Sequence, residues 1–306
     1  MQSAADLLQA IVEQIRKRHP GDGELPTAIP GLSLLKATSS AVVRRGVLKP
    51  SVCIVAQGRK IAQAGDDTTL RYGVGNFMAA SIDMPVVGQI LGASKSKPYL
   101  AAWFELTPHD VLSVLADAKI HVDTSARNAP AAFIGDCDVL LLDVVLRTLH
   151  TLDDEREARF FAPLLRRELI YRLVTGPSAF DVCQSARMAG SDDGVGRAVE
   201  WIKANFKEPL RIEELAKHSN MSSSSLHHKF KATVMMGPLQ YQKRLRLEEA
   251  RRLLLSGLAD ATTAALEVGY ESPSQFTREY GRMFGLPPLR DVKRMRAESS
   301  ALNARP

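Results

Sequence analysis

Two stretches decide the fold: LAKHSNMSSSSLHHKF at residues 215–230 and AALEVGYESPSQFTREY at residues 264–280. Each begins as an apolar-periodic helix, halts at Asn220 or Gly269, residue types that tolerate positive φ, and resumes as a second helix. Leu226 pairs with Phe276, Phe230 with Tyr280 and Pro238 with Pro288 at a spacing of 50, whereas Ala216 pairs with Ala265 at 49. One extra residue therefore belongs to the second turn. Helix, tight turn and helix make the helix-turn-helix plan, and here it is written twice.

Between the copies, residues 238–256 have no internal Gly or Pro, and Leu239, Leu245, Ala250, Leu253 and Leu254 give them an apolar side. Pro238 suits a first helical turn, and Gly257 follows the end. Such a helix spans roughly 28 Å at ~1.5 Å per residue, against ~34 Å between successive major grooves on one face of DNA. A stiff connector of this length can present the two second helices to adjacent grooves.

Charge placement agrees. The net charge is +6, and from Asp192 onward 19 Lys and Arg stand against 14 Asp and Glu. Residues 222–252 concentrate the excess, with Lys229, Lys231, Lys243, Arg244, Arg246, Arg251 and Arg252 against Glu248 and Glu249. A basic face on a helical domain is the footprint of a phosphate partner, while ordinary charge scatter on a solvated surface is the bland alternative.

Residues 210–288 resemble the DNA-binding domain of the AraC/XylS family of bacterial transcription regulators. The resemblance rests on Leu215-Ala216, Met221-Ser222, Leu226, Phe230, Pro238, Arg244, Ala250, Leu253-Leu254, Gly269-Tyr270, Ser272, Phe276, Phe284-Gly285 and Pro288. Asn220 stands where the family usually has a turn glycine, Ala261 and Ala264 where it has larger aliphatics, and Asp291 where a tyrosine is common. The alanines would weaken packing of the second unit without erasing the motif.

At 306 residues with 45% apolar content, the chain can bury two ordinary domains. Cys53, Cys137 and Cys183 lie far apart, which suggests neither a disulfide framework nor a zinc site. Ser3 and Asp6 are spaced as a capping box before an amphipathic helix carrying Leu8, Ile11, Val12 and Ile15, not as a signal peptide. No apolar run approaches the length of a membrane span, so a cytoplasmic location without membrane partners is expected.

From residue 32 to about 103 short β-type runs replace the helical period, at 32–38, 52–57, 75–80, 86–91 and 99–106. Such spacing predicts a small barrel or sandwich. Residues 50–106 also resemble the N-terminal effector domain of an AraC-type subfamily, a cupin-like barrel, through Pro50, Gln57-Gly58-Arg59-Lys60, Tyr72, Gly75, Ser81-Ile82-Asp83-Met84-Pro85-Val86 and Pro98-Tyr99. Catalytic cupins hold a metal through clustered histidines and a carboxylate. No histidine occurs between His19 and His109, so no metal, cofactor or catalytic residue is expected. Arg59-Lys60 is either a solvated turn or an anion-binding pair. Cys53 alternates in a strand with Val52 and Ile54, either as a small buried residue or as a redox or electrophile sensor, the latter needing an exposed thiol with a depressed pKa.

Three helices follow, at 108–119, 138–150 and 153–175. Their apolar faces (Leu142, Val145, Leu149; Phe160, Phe161, Leu164) serve either as packing onto the barrel or as a homodimer seam. The family resemblance implies the dimer. Residues 180–194, poor in large apolar side chains, read as a linker.

In the first recognition helix Leu226 and Phe230 point inward, which at 100° per residue turns His228 directly outward, flanked by Ser224, Ser225 and Lys231, with His227 on the shoulder. In the second, Phe276 and Tyr280 point in and Arg278 points out beside Ser274 and Gln275. The family's base-reading positions fall on Ser224, His227, His228, Ser274, Gln275 and Arg278. A guanidinium can grip guanine O6 and N7 bidentately, and a glutamine suits adenine. The histidines contact bases or phosphates, or are exposed bystanders. Phosphate contacts are expected from Lys229, Lys231, Arg244 and the helix-start amides.

These readings define an α+β protein: a cupin-like β-barrel with flanking helices at 1–180, a linker at 181–194, and an all-α domain of two helix-turn-helix units joined by a linker helix at 195–296. The implied function is an effector-responsive transcription regulator, an activator by family habit, that meets promoter DNA and RNA polymerase and binds an unidentified small-molecule effector. The alternatives are a repressor, a cupin-type enzyme with an accessory DNA-binding domain, and a non-specific architectural DNA binder.

Overall fold

The computed structural model describes residues 2–40, 43–64, 68–121, 130–188 and 194–303. The first helix, α1 (Ala4–Arg18), starts at the expected capping box: the Ser3 hydroxyl accepts from the Asp6 amide and the Asp6 carboxylate from the Ser3 amide. Its face of Leu7, Ile11, Val12 and Ile15 is fully inside.

Among the described residues ten antiparallel strands follow in two sheets. The larger runs β1 (Gly23–Pro26), β2 (Leu32–Ala37), β9 (Tyr99–Glu105), β4 (Ser51–Gln57), β7 (Asn76–Ala80), β10 (Ala132–Asp136). The smaller runs β3 (Val43–Leu48), β8 (Met84–Leu91), β5 (Arg59–Ala64), β6 (Thr68–Gly73). Among the described residues these are two open sheets packed face to face, one of the two forms the strand spacing allows, and not the closed cupin-like barrel that the family resemblance implied. The central strands of the larger sheet are buried on both faces and read as near-continuous apolar runs: in β4 the first six residues are all buried. One face (Leu34, Ile54, Phe77, Leu100, Ala102) packs under helices, and the other (Cys53, Val55, Met78, Tyr99, Ala101) faces Ala62, Tyr72 and Ile90 of the smaller sheet.

That layer consists of α1, α2 (Pro108–Asp117), α3 (Val139–Thr151), α4 (Glu155–Thr175) and α5 (Ala179–Met188). The last of these lies where sequence places a linker. Val182, Cys183 and Ala186 pack into the sheet-and-helix core, and Gln184 and Ser185 are buried with them. Residues 189–193 of that segment lie outside the described residues.

The C-terminal helices are α6 (Gly194–Ala204), α7 (Ile212–His218), α8 (Ser223–Val234), α9 (Pro238–Ser256), α10 (Ala261–Glu267), α11 (Pro273–Phe284) and α12 (Pro288–Asn303). The turn residues hold the left-handed conformation the sequence asks of them, Asn220 at φ 54° and Gly269 at φ 86°. Asn does this at modest cost because its short amide bonds locally. Both second helices begin at a serine cap, with Ser222 Oγ accepting from the Ser225 amide and Ser272 Oγ from the Gln275 amide. From Asn220 to its cap there is one residue, Met221; from Gly269 to its cap there are two, Tyr270 and Glu271, which is the extra residue. The small Ala264 and Ala265 are fully buried against an aromatic ladder of Tyr270, Phe276, Tyr280 and Phe284.

Candidate nucleic-acid interface

Leu226, Phe230, Phe276 and Tyr280 are each 0% exposed and fix the inward side of α8 and α11. The opposite sides are open: Ser224, His227, His228, Lys229 and Lys231 on α8, and Ser274, Gln275 and Arg278 on α11, are all exposed. Arg278 carries no ion pair among the described residues. The Gln275 amide donates to Glu279 on its own helix at 3.3 Å. Glu279 is further occupied by the Tyr270 hydroxyl at 2.8 Å and by Lys243 at 3.9 Å. Glu279, the one acid of α11, is thus engaged by its neighbours, while Gln275 and Arg278 lie on the exposed face.

Arg244 is placed differently from the phosphate-contacting role expected of it. It is half-buried and donates to the Pro85 carbonyl at 3.3 Å, on the sensor side of α9. Arg246 and Arg251 are also turned inward. The Arg246 guanidinium donates to the carbonyls of Phe206, Lys207, Glu208 and Gly269. Arg251 is buried against Asp291 at 2.8 Å. Three of the seven cations that suggested a basic face therefore hold the protein together, leaving Lys229, Lys231, Lys243 and Arg252 on its surface.

Asp291, the departure from the family's tyrosine, is a buried hub. It accepts from Arg251, from Arg294 at 2.8 Å and from the Tyr280 hydroxyl at 3.0 Å. A buried carboxylate is tolerable only when its lone pairs are filled in this way. Glu248 lies nearby with one oxygen buried and without a hydrogen-bond partner among the described residues. Burial pushes its carboxyl up to about 7, against the pull of Arg251 and Arg244 and with the added push of Asp291.

The run 81–86 is a docking segment between the domains. The Asp83 carboxylate meets Lys203 of α6 at 2.9 Å, and the Asp83 carbonyl accepts from the Tyr241 hydroxyl at 2.8 Å. The Ala131 amide donates to the Thr233 carbonyl near the end of α8 at 2.8 Å. Ala64, Ala80, Ile82, Met84 and Ala132 share one apolar cluster with Val199, Ile202, Leu226, Phe230 and Tyr241. The core of the second unit, by contrast, draws on no residue of the N-terminal domain among those described.

Between the sheets, Arg59-Lys60 opens strand β5 rather than forming a turn, and Lys60 is half-buried. The Tyr72 hydroxyl is buried without a partner among the described residues. The Cys53 thiol lies 3.9 Å from the Tyr99 hydroxyl, and burial raises its pKa. A thiol held neutral in this way is not a reactive nucleophile. No group of three or more His, Cys, Asp or Glu among the described residues can hold a metal ion, and no helix among them is long and apolar enough to cross a membrane.

A double-sheet domain docked on a pair of helix-turn-helix units that share a stiff helix defines a two-domain regulator class. Comparison with known proteins gives the family. The model for the AraC-type transcriptional regulator N-terminus matches residues 28–180, and a helix-turn-helix domain model matches residues 215–294. The chain belongs to the AraC family of transcriptional regulators. It is 32% identical over 114 residues to the HTH-type transcriptional regulator ArgR of Pseudomonas aeruginosa, covering 37% of this chain and 35% of that protein. It is 23% identical over 192 residues to the lactose operon transcription activator of Staphylococcus xylosus, covering 62% and 66%. The chain thus spans less than two thirds of the length of these relatives. Its fold is similar to that of ToxT from Vibrio cholerae, with a TM-score of 0.59 at 9% identity, over 85% of this chain and 97% of that one.

Proposed function

We propose that the protein is a sequence-specific regulator that reads two successive major grooves of promoter DNA, one with α8 and one with α11. The observation that carries this reading is the pair of serine-capped helices on one 19-residue connector, each turning a polar face outward. Ser224, His227, His228, Ser274, Gln275 and Arg278 contact bases; Lys229 and Lys231 contact phosphates. Arg244 joins them only if the sensor releases it. The N-terminal domain through α5, to residue 188, forms the sensing and pairing domain, and the helices from α6 onward, 194–296, form the DNA reader.

The sensor binds a small molecule between its sheets, where Tyr72, Tyr99 and Lys60 supply polar groups among alanines. Support comes from the orphaned Tyr72 hydroxyl, since a buried unsatisfied donor marks a place where a partner is missing. One structure of ToxT from Vibrio cholerae holds an unsaturated fatty acid. Pairing of two copies runs through α4, whose Phe160, Phe161 and Leu164 stand exposed. The regulator works in the cytoplasm on RNA polymerase, as an activator in the manner that the name of the Staphylococcus relative describes.

The test is selection from a random-sequence DNA duplex library by the full-length protein. The expected result is an enriched sequence with two conserved tracts about one helical turn apart. Recovery of duplexes without any shared sequence would instead favour a non-specific binder.

A further inference from the structure

The two readers are useful only if their separation is fixed, and polar as well as apolar contacts join them. The first unit belongs to one apolar cluster and the second to another, and the two meet along α9. The polar tie between them is a cage of backbone carbonyls at residues 206–208, just after α6. Arg246 donates Nε to the Phe206 carbonyl at 2.5 Å, and Nη2 to those of Lys207 and Glu208 at 2.9 and 2.8 Å. Its Nη1 reaches across to the Gly269 carbonyl in the second unit's turn at 2.8 Å. Gln242, one turn earlier on α9, donates to the Phe206 and Glu208 carbonyls at 3.1 and 2.7 Å. Phe206 itself packs against the second unit's core, and Lys207 pairs with Glu267 of α10 at 3.7 Å. A Cβ at Gly269 would collide with the Lys207 carbonyl, so the turn glycine lets the two units close up.

From this geometry we infer that Arg246, with Gln242, is a positioning residue that sets the spacing at which the two recognition helices engage DNA. It touches no base. Its guanidinium is a planar fork whose donors diverge, and it spans four acceptors on two units that a point-like ammonium cannot span together. With the cage intact, the two reading faces move as one body. Without it, α9 still joins them, but their relative angle is set only by side-chain contacts. The same stretch carries Lys203, bound to the sensor's Asp83 at 2.9 Å, so the cage also lies on the path from sensor to reader.

This inference rests on the paired-reader function proposed above, and one series of duplexes separates the two. The duplex recovered from the random library is remade with one base pair inserted or deleted between its tracts, a shift of about 3.4 Å along the axis. The full-length wild type should lose roughly ten-fold or more in affinity on either change, and Arg246→Lys should lose less than about three-fold. Both proteins should bind a duplex carrying a single tract equally. An Arg246→Lys protein that is weaker at every spacing but keeps the wild-type discrimination would overturn the inference, because a merely structural residue behaves that way. Should Arg246→Lys fail to fold, Gln242→Ala takes its place, and undiminished spacing discrimination in that variant overturns the inference equally. A wild type indifferent to spacing would contradict the paired reader itself.

Discussion

The hydroxyl of Tyr241 donates across the domain boundary to the backbone carbonyl of Asp83, at 2.8 Å. Tyr241 is fully buried and stacks edge-on against Phe230, the anchor of the first recognition helix. The sensor therefore touches the first reader through the very side chain that seats its recognition helix. The second reader hangs from α9 and α12. The docking segment is thus a contact through which the N-terminal domain can bear on the seating of the first reader.

Tyr241→Phe keeps the ring and leaves the Asp83 carbonyl without its donor. The expected cost is about 0.5–1.5 kcal/mol, the net worth of one hydrogen bond at a part-buried site. Hydrogen exchange should quicken at residues 83–86 and in α8, with α11 unchanged. Uniform exchange across both units would mean the contact does not couple sensor to reader.

Arg278→Ala removes the outward guanidinium of α11 and should cost ~1–3 kcal/mol while relaxing preference at one base pair. Lys231→Ala should weaken all sequences alike and flatten the salt slope by about one unit. Competition binding over single-base variants at several salt concentrations distinguishes the two behaviours.

Glu248 gives a pH prediction. Its folded-state pKa, about 7, lies above its ordinary 4.5. A raised pKa means the folded form holds the proton more tightly. The stability this contributes is fully present below about 4.5 and is lost as pH rises through about 7. At pH 8 the ionised carboxylate carries a cost of about 1.4 kcal/mol per unit of displacement. Glu248→Gln should therefore melt higher than the wild type at pH 8 and at nearly the same temperature at pH 4.5. Parallel melting curves across that range would contradict the assignment.

Phe160 and Phe161 stand 68% and 42% exposed on α4, edge to edge at 5.0 Å. Lone exposed apolar residues are ordinary, but a contiguous patch marks an interaction site. Replacing both with Ser should leave the fold intact and convert a dimer to a monomer in sedimentation analysis. An unchanged mass would move the pairing surface elsewhere.

Much of this was legible from periodicity. Asn220 and Gly269 mark the turns, and the change of spacing from 49 to 50 locates the added residue between them and the serine caps. The strands β1, β3, β5, β6 and β10 were not legible. They are sheet edges or belong to the smaller sheet, and their runs (GELP, RKIAQA, TTLRYG) mix charge with small residues. Helix α5 escaped because it buries Gln184 and Ser185 beside only a few apolar groups. Nor can charge counting tell Arg244 and Arg246 from Lys229 and Lys231. Which cations face solvent depends on carbonyls contributed by residues 85 and 206–208, distant in sequence and close only in the fold.

Methylation protection of guanine N7 on the selected duplex tests most directly whether α8 and α11 enter adjacent major grooves, because that atom lies on the major-groove edge. Two protected tracts centred about 10 base pairs apart are expected, with Arg278→Ala releasing guanines in one tract only. A single protected tract, or loss of protection from both tracts in Arg278→Ala, would contradict the account.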